Sequence, residues 1–265
     1  GEARLDPVWI SGGSCGPLPD VATIAAAPGV TDVTVGELRA QLGLVDPRGH
    51  GWLRGLDEVH LSACLQWTWP VPSQVVVAIR VYTDGSASLR SAWPQLVTAA
   101  GFAITVFGQS PGGDWMLVGS LAAPLQINSG RSGFLSAAPP SAQVAELTVM
   151  SVALSFQRAL RQPLPMEVHA DSTYALGIAS GEKRAYAHFE LVQRVRFEAW
   201  HAQRAAPLSL CHVKAHSGVI GNELVDTLAK AAATGLCLPA SVNAFLDTLG
   251  PPPEPRYPCT FSLES

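Results

Sequence analysis

Two aspartates lie directly after apolar runs that are typical of buried strands. Asp84 follows residues 75–83, which are rich in Val, Ile and Tyr, and Asp171 closes a short run over residues 165–171. In open α/β sheets, ligands bind beyond the carboxyl ends of the strands. Right-handed crossovers between parallel strands bring such ends to one edge. We therefore expect both carboxylates at one edge of a sheet.

Two further acids fall on predicted helices. Ser141 is the predicted N-cap of a helix that runs to about Arg161, and Glu146 is the one charged residue between positions 132 and 157. An unpaired carboxylate is costly in a buried helix, which favours a functional role for Glu146. Asp226 lies on the polar face of a predicted helix over residues 222–234.

Each acid also has an ordinary structural interpretation. Asp84 could belong to an Asp-Gly turn between strands, and Asp171 could simply cap a helix. Glu146 could be a solvated residue near the positive end of its helix, and Asp226 could pair with Lys230 four residues later.

A group of four carboxylates suits a particular chemistry. Mg²⁺ is a hard cation that takes oxygen ligands and keeps several waters. Two such ions about 4 Å apart can activate a water and stabilise the leaving oxygen of a phosphodiester. One carboxylate would bridge the ions and the others would anchor one ion each. The four acids therefore predict a phosphodiester-hydrolysing site.

The elements needed to position these acids follow in the order strand, strand, strand, helix, strand, helix, helix, strand, helix. Residues 101–108 and 115–127 form a predicted hairpin around residues 112–114. Residues 188–204 form a predicted amphipathic helix and residues 208–214 a strand. On that helix Leu191, Val195 and Ala199 are expected inside, and Arg194, Arg196, Glu198 and Arg204 outside. The order indicates a mixed sheet with helices on both faces.

The regions that flank this α/β pattern divide the chain into three predicted parts. Residues 1–73 are rich in Gly and Pro and have no assignable fold, although Thr34 and Glu37 predict a capped helix and residues 57–67 another. Residues 74–235 form the main domain. Residues 236–265 are predicted to be a Pro-containing tail or linker.

Composition narrows the setting of the protein. The net charge is −4, and the acidic excess lies in residues 1–70, with four Arg against eight Asp and Glu. No membrane span or signal peptide is predicted. Scattered cysteines without a C-x-x-C pair indicate reduced thiols and an intracellular location, in nucleus or cytoplasm, and argue against a zinc site; they are Cys15, Cys64, Cys211, Cys237 and Cys259.

Four stretches, in this order, resemble ribonuclease H of type 1. They are residues 82–86 (Tyr-Thr-Asp-Gly-Ser), 145–147 (Ala-Glu-Leu), 169–174 (His-Ala-Asp-Ser-Thr-Tyr) and 212–229, the most specific of them. The resemblance covers about residues 74–235 and is strongest to the domains attached to reverse transcriptases of retrotransposons. It implies an RNase H-like fold with a mixed five-stranded sheet of three antiparallel and then two parallel strands.

The resemblance assigns roles to particular residues. Asp84, Glu146, Asp171 and Asp226 match the metal-binding acids, and His216 matches a loop histidine that helps proton transfer or product release. Gln143 matches a residue that touches the minor groove of the hybrid, and Ser172 one near the phosphate. Ala142 departs from the Asn that is frequent in the family, which removes one hydrogen bond to nucleic acid.

Substrate binding is expected to be weak and salt-dependent. The basic segment that bacterial members use to grip substrate is reduced to residues 181–185, and the span from Asp84 to Glu146 is longer than usual. Arg184 and Arg194 are the expected basic contacts to nucleic acid.

These features predict an endonuclease that hydrolyses the RNA strand of RNA–DNA hybrids with two Mg²⁺ ions, for which Mn²⁺ can substitute. A reverse transcriptase domain in the same retroelement polyprotein is the expected partner. The alternatives are a catalytically silent nucleic-acid-binding or structural module of the same fold, and another nuclease of this fold such as an integrase or 3′ exonuclease.

Overall fold

A computed structural model describes residues 33–45, 71–92, 95–239 and 241–249. The strands in these ranges are β1 (Val33–Thr34), β2 (Val75–Val76), β3 (Ala78–Ala92), β4 (Gln95–Gln109), β5 (Trp115–Pro124), β6 (Met166–Ala170) and β7 (Leu208–His212). The helices are α1 (Val35–Leu42), α2 (Ala142–Ala159), α3 (Thr173–Ser180), α4 (Phe189–Ala205), α5 (Ile220–Ala233) and α6 (Val242–Thr248).

The main sheet has five strands in the order β5–β4–β3–β6–β7. The β5–β4 and β4–β3 pairs are antiparallel, and the β3–β6 and β6–β7 pairs are parallel. Helix α5 packs on β3 and β4 within one apolar cluster, while α2, α3 and α4 belong to the other. The predicted fold class, a mixed sheet with helices on both faces, is confirmed.

The alternation of side chains along β3 divides the two layers. Ile79 and Val81 are fully buried in the cluster that contains α2. Tyr82 points to the opposite face and packs in the cluster that contains α5. A strand covered on both faces must be apolar almost throughout, which explains the near-continuous apolar run before Asp84.

Helix α2 crosses the sheet and is buried along most of its length. Its N-cap is Ser141, whose hydroxyl accepts a hydrogen bond from the Val144 amide at 3.1 Å. The prediction of a long buried helix that begins after Ser141 is confirmed.

The expectation that the first strand ends at Asp84 is wrong. Strand β3 continues to Ala92, because β4 pairs with it over its whole length, from Ala78 opposite Gln109 to Ala92 opposite Gln95. Only the parallel neighbour β6 stops at this level, with Ala170 opposite Thr83.

Parts of both flanking regions pack on the domain. Helix α1 has the predicted capping box of Thr34 and Glu37, and Leu38 and Leu42 of α1 are fully buried in the α2 cluster. In the region expected to be a tail, Leu238 pairs with Ala122 of β5. Helix α6, in the same region, contributes buried apolar residues to the cluster that contains α2. The helix predicted over residues 57–67 lies outside the described residues, and the three-part division as a whole stays a prediction.

One polar face of α4 is placed differently from the expectation. Leu191, Val195 and Ala199 are buried as predicted, but Arg194 and Glu198 are also buried, with 1% of each exposed. Glu198 binds Arg158 of α2 at 2.7 Å, so neighbouring helices supply partners that the pattern on α4 alone does not reveal.

The cysteine expectation is wrong at one position. Cys211 is disulfide-bonded, whereas Cys237 is a free thiol. Within the described residues, no helix combines the length and the apolar character that a membrane crossing requires.

Gly101 tests the close packing of α5 on the sheet. A Cβ atom at this position would lie 2.3 Å from the amide nitrogen of Ala233, so Gly101→Ala must displace the helix. We expect a loss of about 3 kcal/mol in the free energy of unfolding, measured by urea titration.

Gly112→Ala is the matched control, since its Cβ would meet no atom closer than 3.6 Å. Equal stability of the two variants would contradict the packing described here.

Candidate active site

The parallel register of β3 and β6 brings Asp84 and Asp171 together. Thr83 lies opposite Ala170, and each aspartate is the next residue of its chain. Asp84 is buried, with 8% exposed, and Asp171 is half-buried. The two acids therefore stand at the point where β6 ends and β3 loses its parallel neighbour.

Glu146 reaches the same point from α2, across Gly85. The Gly85 amide donates a hydrogen bond to Glu146 Oε1 at 3.2 Å. A Cβ atom at Gly85 would lie 2.5 Å from the amide nitrogen of Glu146, so only glycine allows the helix this close. The second oxygen, Oε2, is buried and has no hydrogen-bond partner among the residues that the structure describes.

The structure brings the four predicted acids into one electrostatic unit. Carboxylate oxygens of Asp84, Glu146 and Asp171 lie within 4.8 Å of one another. Asp226, on α5, lies close enough for its negative charge to repel those of Asp84 and Asp171. Its carboxylate is paired with Lys230 Nζ at 2.6 Å. All four assignments as metal ligands stay predictions.

Burial and crowding raise the pKa values of Asp84, Glu146 and Asp171. Burial, and then the negative charges of Asp171 and Asp226, raise the pKa of Asp84 to about 8. Burial, and then Asp84 and Asp171, raise the pKa of Glu146 to about 9. Burial also raises the pKa of Asp171.

The cluster fits divalent cations. Its donors are all carboxylate oxygens, which hard cations such as Mg²⁺ prefer. The partnerless Oε2 of Glu146 and the raised pKa values of Asp84 and Glu146 indicate carboxylates that lack enough nearby positive charge.

His216 lies at the rim of the cluster on an exposed loop before α5. Its backbone is left-handed, with φ of 51°, and its Nδ1 is 3.7 Å from Glu223 Oε2. The Gly218 amide also donates to Glu223 at 3.3 Å, and His216, Glu223 and Asp226 could together hold an ion. Glu223 was not among the predicted site residues, although its place one helical turn before Asp226 is a signal that could have found it.

The predicted nucleic-acid contacts have different environments. Gln143 is exposed on the first turn of α2, and Arg184 is exposed after α3. Ser172 caps α3 by accepting from the Ala175 amide at 3.2 Å, so its hydroxyl already has a structural role. Lys183, which was not predicted, places its Nζ 3.3 Å from the Thr173 hydroxyl, two residues after Asp171.

Arg194 does not fit its predicted role as a nucleic-acid contact. Its side chain is buried, and its guanidinium donates to the carbonyl of Leu249 at 3.2 Å. The pattern on α4 predicts a solvated Arg194 because it does not show that residues after α5 return to cover this helix.

The fold and the acidic cluster define an α/β domain of the RNase H type. The model of the RNase H family matches residues 77–234. The chain therefore belongs to the RNase H family, and it is a ribonuclease H, a hydrolase of phosphodiester bonds. The predicted enzyme class is thereby confirmed.

Solved structures of low similarity accompany this match. LC9-RNase H1, a type 1 RNase H with the type 2 active-site motif, is 17% identical with a TM-score of 0.44, covering 60% of this chain and 73% of its own. RNase H1 from the halophilic archaeon Halobacterium salinarum is 18% identical with a TM-score of 0.39, covering 59% and 98%. LC11-RNase H1 in complex with RNA/DNA hybrid is 16% identical with a TM-score of 0.39, covering 58% and 98%. No curated protein matches the sequence.

The raised pKa values predict a pH-dependent stability in the absence of metal. Between about pH 4 and pH 8 the unfolded chain releases protons that the folded chain keeps on Asp84 and Glu146, so the free energy of unfolding falls as the pH rises. Asp84→Asn should weaken the pH dependence of the free energy of unfolding, and it should stabilise the metal-free protein near pH 8. Urea titrations in EDTA at several pH values measure it.

Asp114→Asn, in the exposed turn before β5, is the matched control and should keep the wild-type slope. A wild-type slope in Asp84→Asn would show that burial and neighbouring charges do not raise the pKa of this carboxyl.

Proposed function

We propose that the protein hydrolyses the RNA strand of RNA–DNA hybrids with two divalent cations, Mg²⁺ by preference and Mn²⁺ as a substitute. The observation that carries this proposal is the convergence of Asp84, Glu146 and Asp171, with oxygens within 4.8 Å, at the end of β6 in a chain of the RNase H family.

The acids would act as ligands at fixed positions. Asp84 and Asp171 are held by paired strands, and Glu146 lies on a buried helix and accepts a hydrogen bond from the Gly85 amide at its carboxylate. Asp226 lies on α5, where Lys230 neutralises it and would have to yield to a cation. Bound cations would supply a nucleophilic hydroxide at neutral pH and charge stabilisation for the phosphodiester.

His216 would handle protons at the rim of the site. With 70% of its side chain exposed, it is accessible to solvent and to product. Glu223 lies close enough to hold the ring on the side of Asp226. This arrangement suits general acid–base assistance or product release rather than essential ligation.

Substrate choice would come from the first turn of α2. Gln143 is exposed there, on the same helix as Glu146 and less than one turn before it. A minor-groove contact at this place would detect the 2′-hydroxyl of the RNA strand. The exposed Lys183 and Arg184 would add phosphate contacts.

The proposal extends to a retroelement context, in which this domain follows a reverse transcriptase in one polyprotein. It is supported by the resemblance of residues 212–229 and by the reduced basic segment at residues 181–185, which would leave part of the substrate grip to a partner domain. Sequencing the encoding transcript tests it: an in-frame reverse transcriptase is expected upstream, and an isolated reading frame would contradict it.

Incubation with Mg²⁺ and labelled substrates tests the activity. We expect cleavage of RNA in the hybrid and little action on duplex RNA or duplex DNA, with loss of cleavage in EDTA and recovery with Mn²⁺. Binding without cleavage would instead support the silent module, and equal cleavage of duplex DNA would indicate another nuclease class.

Variants should separate metal ligation from proton handling. Asp171→Asn removes a charge that the cations need, so single-turnover cleavage should nearly vanish. His216→Ala should lose about 10²- to 10⁴-fold in rate, because it removes only acid–base assistance. Calorimetric Mg²⁺ titration should show weakened binding in Asp171→Asn and unchanged binding in His216→Ala.

Asp114→Asn serves as the control for both assays. Near-normal cleavage by Asp171→Asn, or loss of metal binding in His216→Ala, would overturn these assignments.

A further inference from the structure

The loop over residues 125–140, here called the entry loop, leads directly into the catalytic helix. It starts after Pro124 of β5, which lies opposite Gly101 of β4, and Gly101 lies opposite Ser86 of β3, two residues beyond Asp84. The loop therefore begins at the site edge of the sheet. It ends at Ser141, the N-cap of the helix that carries Gln143 and Glu146.

The first half of the entry loop has little structure of its own, whereas Leu135 in its second half is buried in the main core. Residues 127–132 are exposed, and a turn is closed by the Arg131 amide, which donates to the carbonyl of Asn128 at 3.0 Å. An isolated bridge joins Gln126 to Phe134. Such a segment needs outside contacts to hold one position.

Asp247 of α6 supplies such contacts to the end of the exposed half, at Ser132 and Gly133. Its Oδ1 accepts a hydrogen bond from the Gly133 amide at 2.7 Å, and its Oδ2 accepts from the Ser132 hydroxyl. Gly133 has φ of 81°, and a Cβ atom there would lie 2.6 Å from Asn243 Oδ1, so the loop packs against α6 without space for a side chain.

The position of Asp247 is unfavourable for α6 itself. It lies in the last turn, where the helix dipole disfavours an acid. Hydrogen bonds from Ser132 and then Gly133 hold the pKa of Asp247 below its usual value. Its carboxylate is therefore stabilised by the loop rather than by its own helix.

Helix α6 is a firm support for this contact. Val242 and Leu246 are buried in the main core. The Leu249 carbonyl, just after the helix, accepts from Arg194 at 3.2 Å and from Arg158 at 3.3 Å. Both arginines project from helices of the domain, so the end of α6 is fixed to the helical layer.

We propose that Asp247 is a positioning residue: it ties the entry loop to α6 and thereby holds the first turn of α2, with Gln143, in place for the substrate. The inference rests on the proposed function. Glu146 is independently held by Gly85, so loss of Asp247 should disturb substrate binding more than the chemical step.

Proteolysis tests the contact without any substrate. Arg131 is the one Lys or Arg between Arg90 and Arg158, and the bond after it leads into Ser132 and Gly133, the residues that Asp247 holds. Asp247→Ala should accelerate tryptic cleavage after Arg131 about tenfold, as expected for loss of hydrogen bonds to a charged group. Mass spectrometry identifies the new N-terminus at Ser132.

Hybrid cleavage tests the consequence for function. In Asp247→Ala, KM should rise about tenfold while kcat changes little, since binding is lost and the chemical step is not. Asp247→Asn keeps an acceptor for the Gly133 amide and should recover part of both effects. Asp114→Ala, at the opposite end of β5, is the matched control and should resemble wild type.

Ser132→Ala approaches the same contact from the loop and leaves α6 intact, so it serves if Asp247→Ala folds poorly. Wild-type tryptic rates and KM in both Asp247→Ala and Ser132→Ala would overturn the proposal, as would a fall in kcat with KM unchanged. Failure of the wild-type protein to cleave hybrid would refute the proposed function instead, because the tryptic comparison does not depend on it.

Discussion

The burial and crowding of several carboxylates at one point is the constraint on which the site depends. Burial raises the pKa of Asp84, Glu146 and Asp171, and nearby negative charges in a medium that screens less than water raise them further. Such a group does not assemble by itself. It must be held together by backbone that is stabilised elsewhere in the fold. Part of that stabilising free energy offsets the cost of burying and crowding the acids.

The sheet provides this rigidity through register rather than through side-chain contacts. The pairing of Thr83 with Ala170 fixes Asp84 beside Asp171. Beyond the end of β6, β3 stays paired with β4, which keeps the backbone at Asp84 from fraying. Gly85 then admits Glu146 from the other face. Lys230 offsets one of the negative charges, at Asp226. The geometry of the acids is therefore set by the fold before any cation binds.

Features that depend on local sequence patterns could be predicted from the sequence. Features that depend on contacts with distant parts of the chain could not. The strands were predictable from the apolar runs before Asp84 and Asp171, and the start of α2 from the cap at Ser141. The order of the predicted elements was enough to predict a mixed sheet. The extension of β3 to Ala92 depends on its partner β4. Burial of Arg194 depends on Leu249, which lies fifty-five positions away and has no local signal on α4.

The buried charges on α4 show why the functional unit extends beyond the residues that match the family. Arg194 and Arg158 both donate to the Leu249 carbonyl, and Nε and Nη1 of Arg194 already lack partners among the described residues. A buried guanidinium that lost its remaining acceptor would cost more than the hydrogen bond itself. Residue 249 lies outside the matched range of 77–234. The segment that covers α4 therefore stabilises the domain although it is not part of the family match. The same segment carries Asp247, so the support of the helical layer and the placement of the entry loop depend on one short helix.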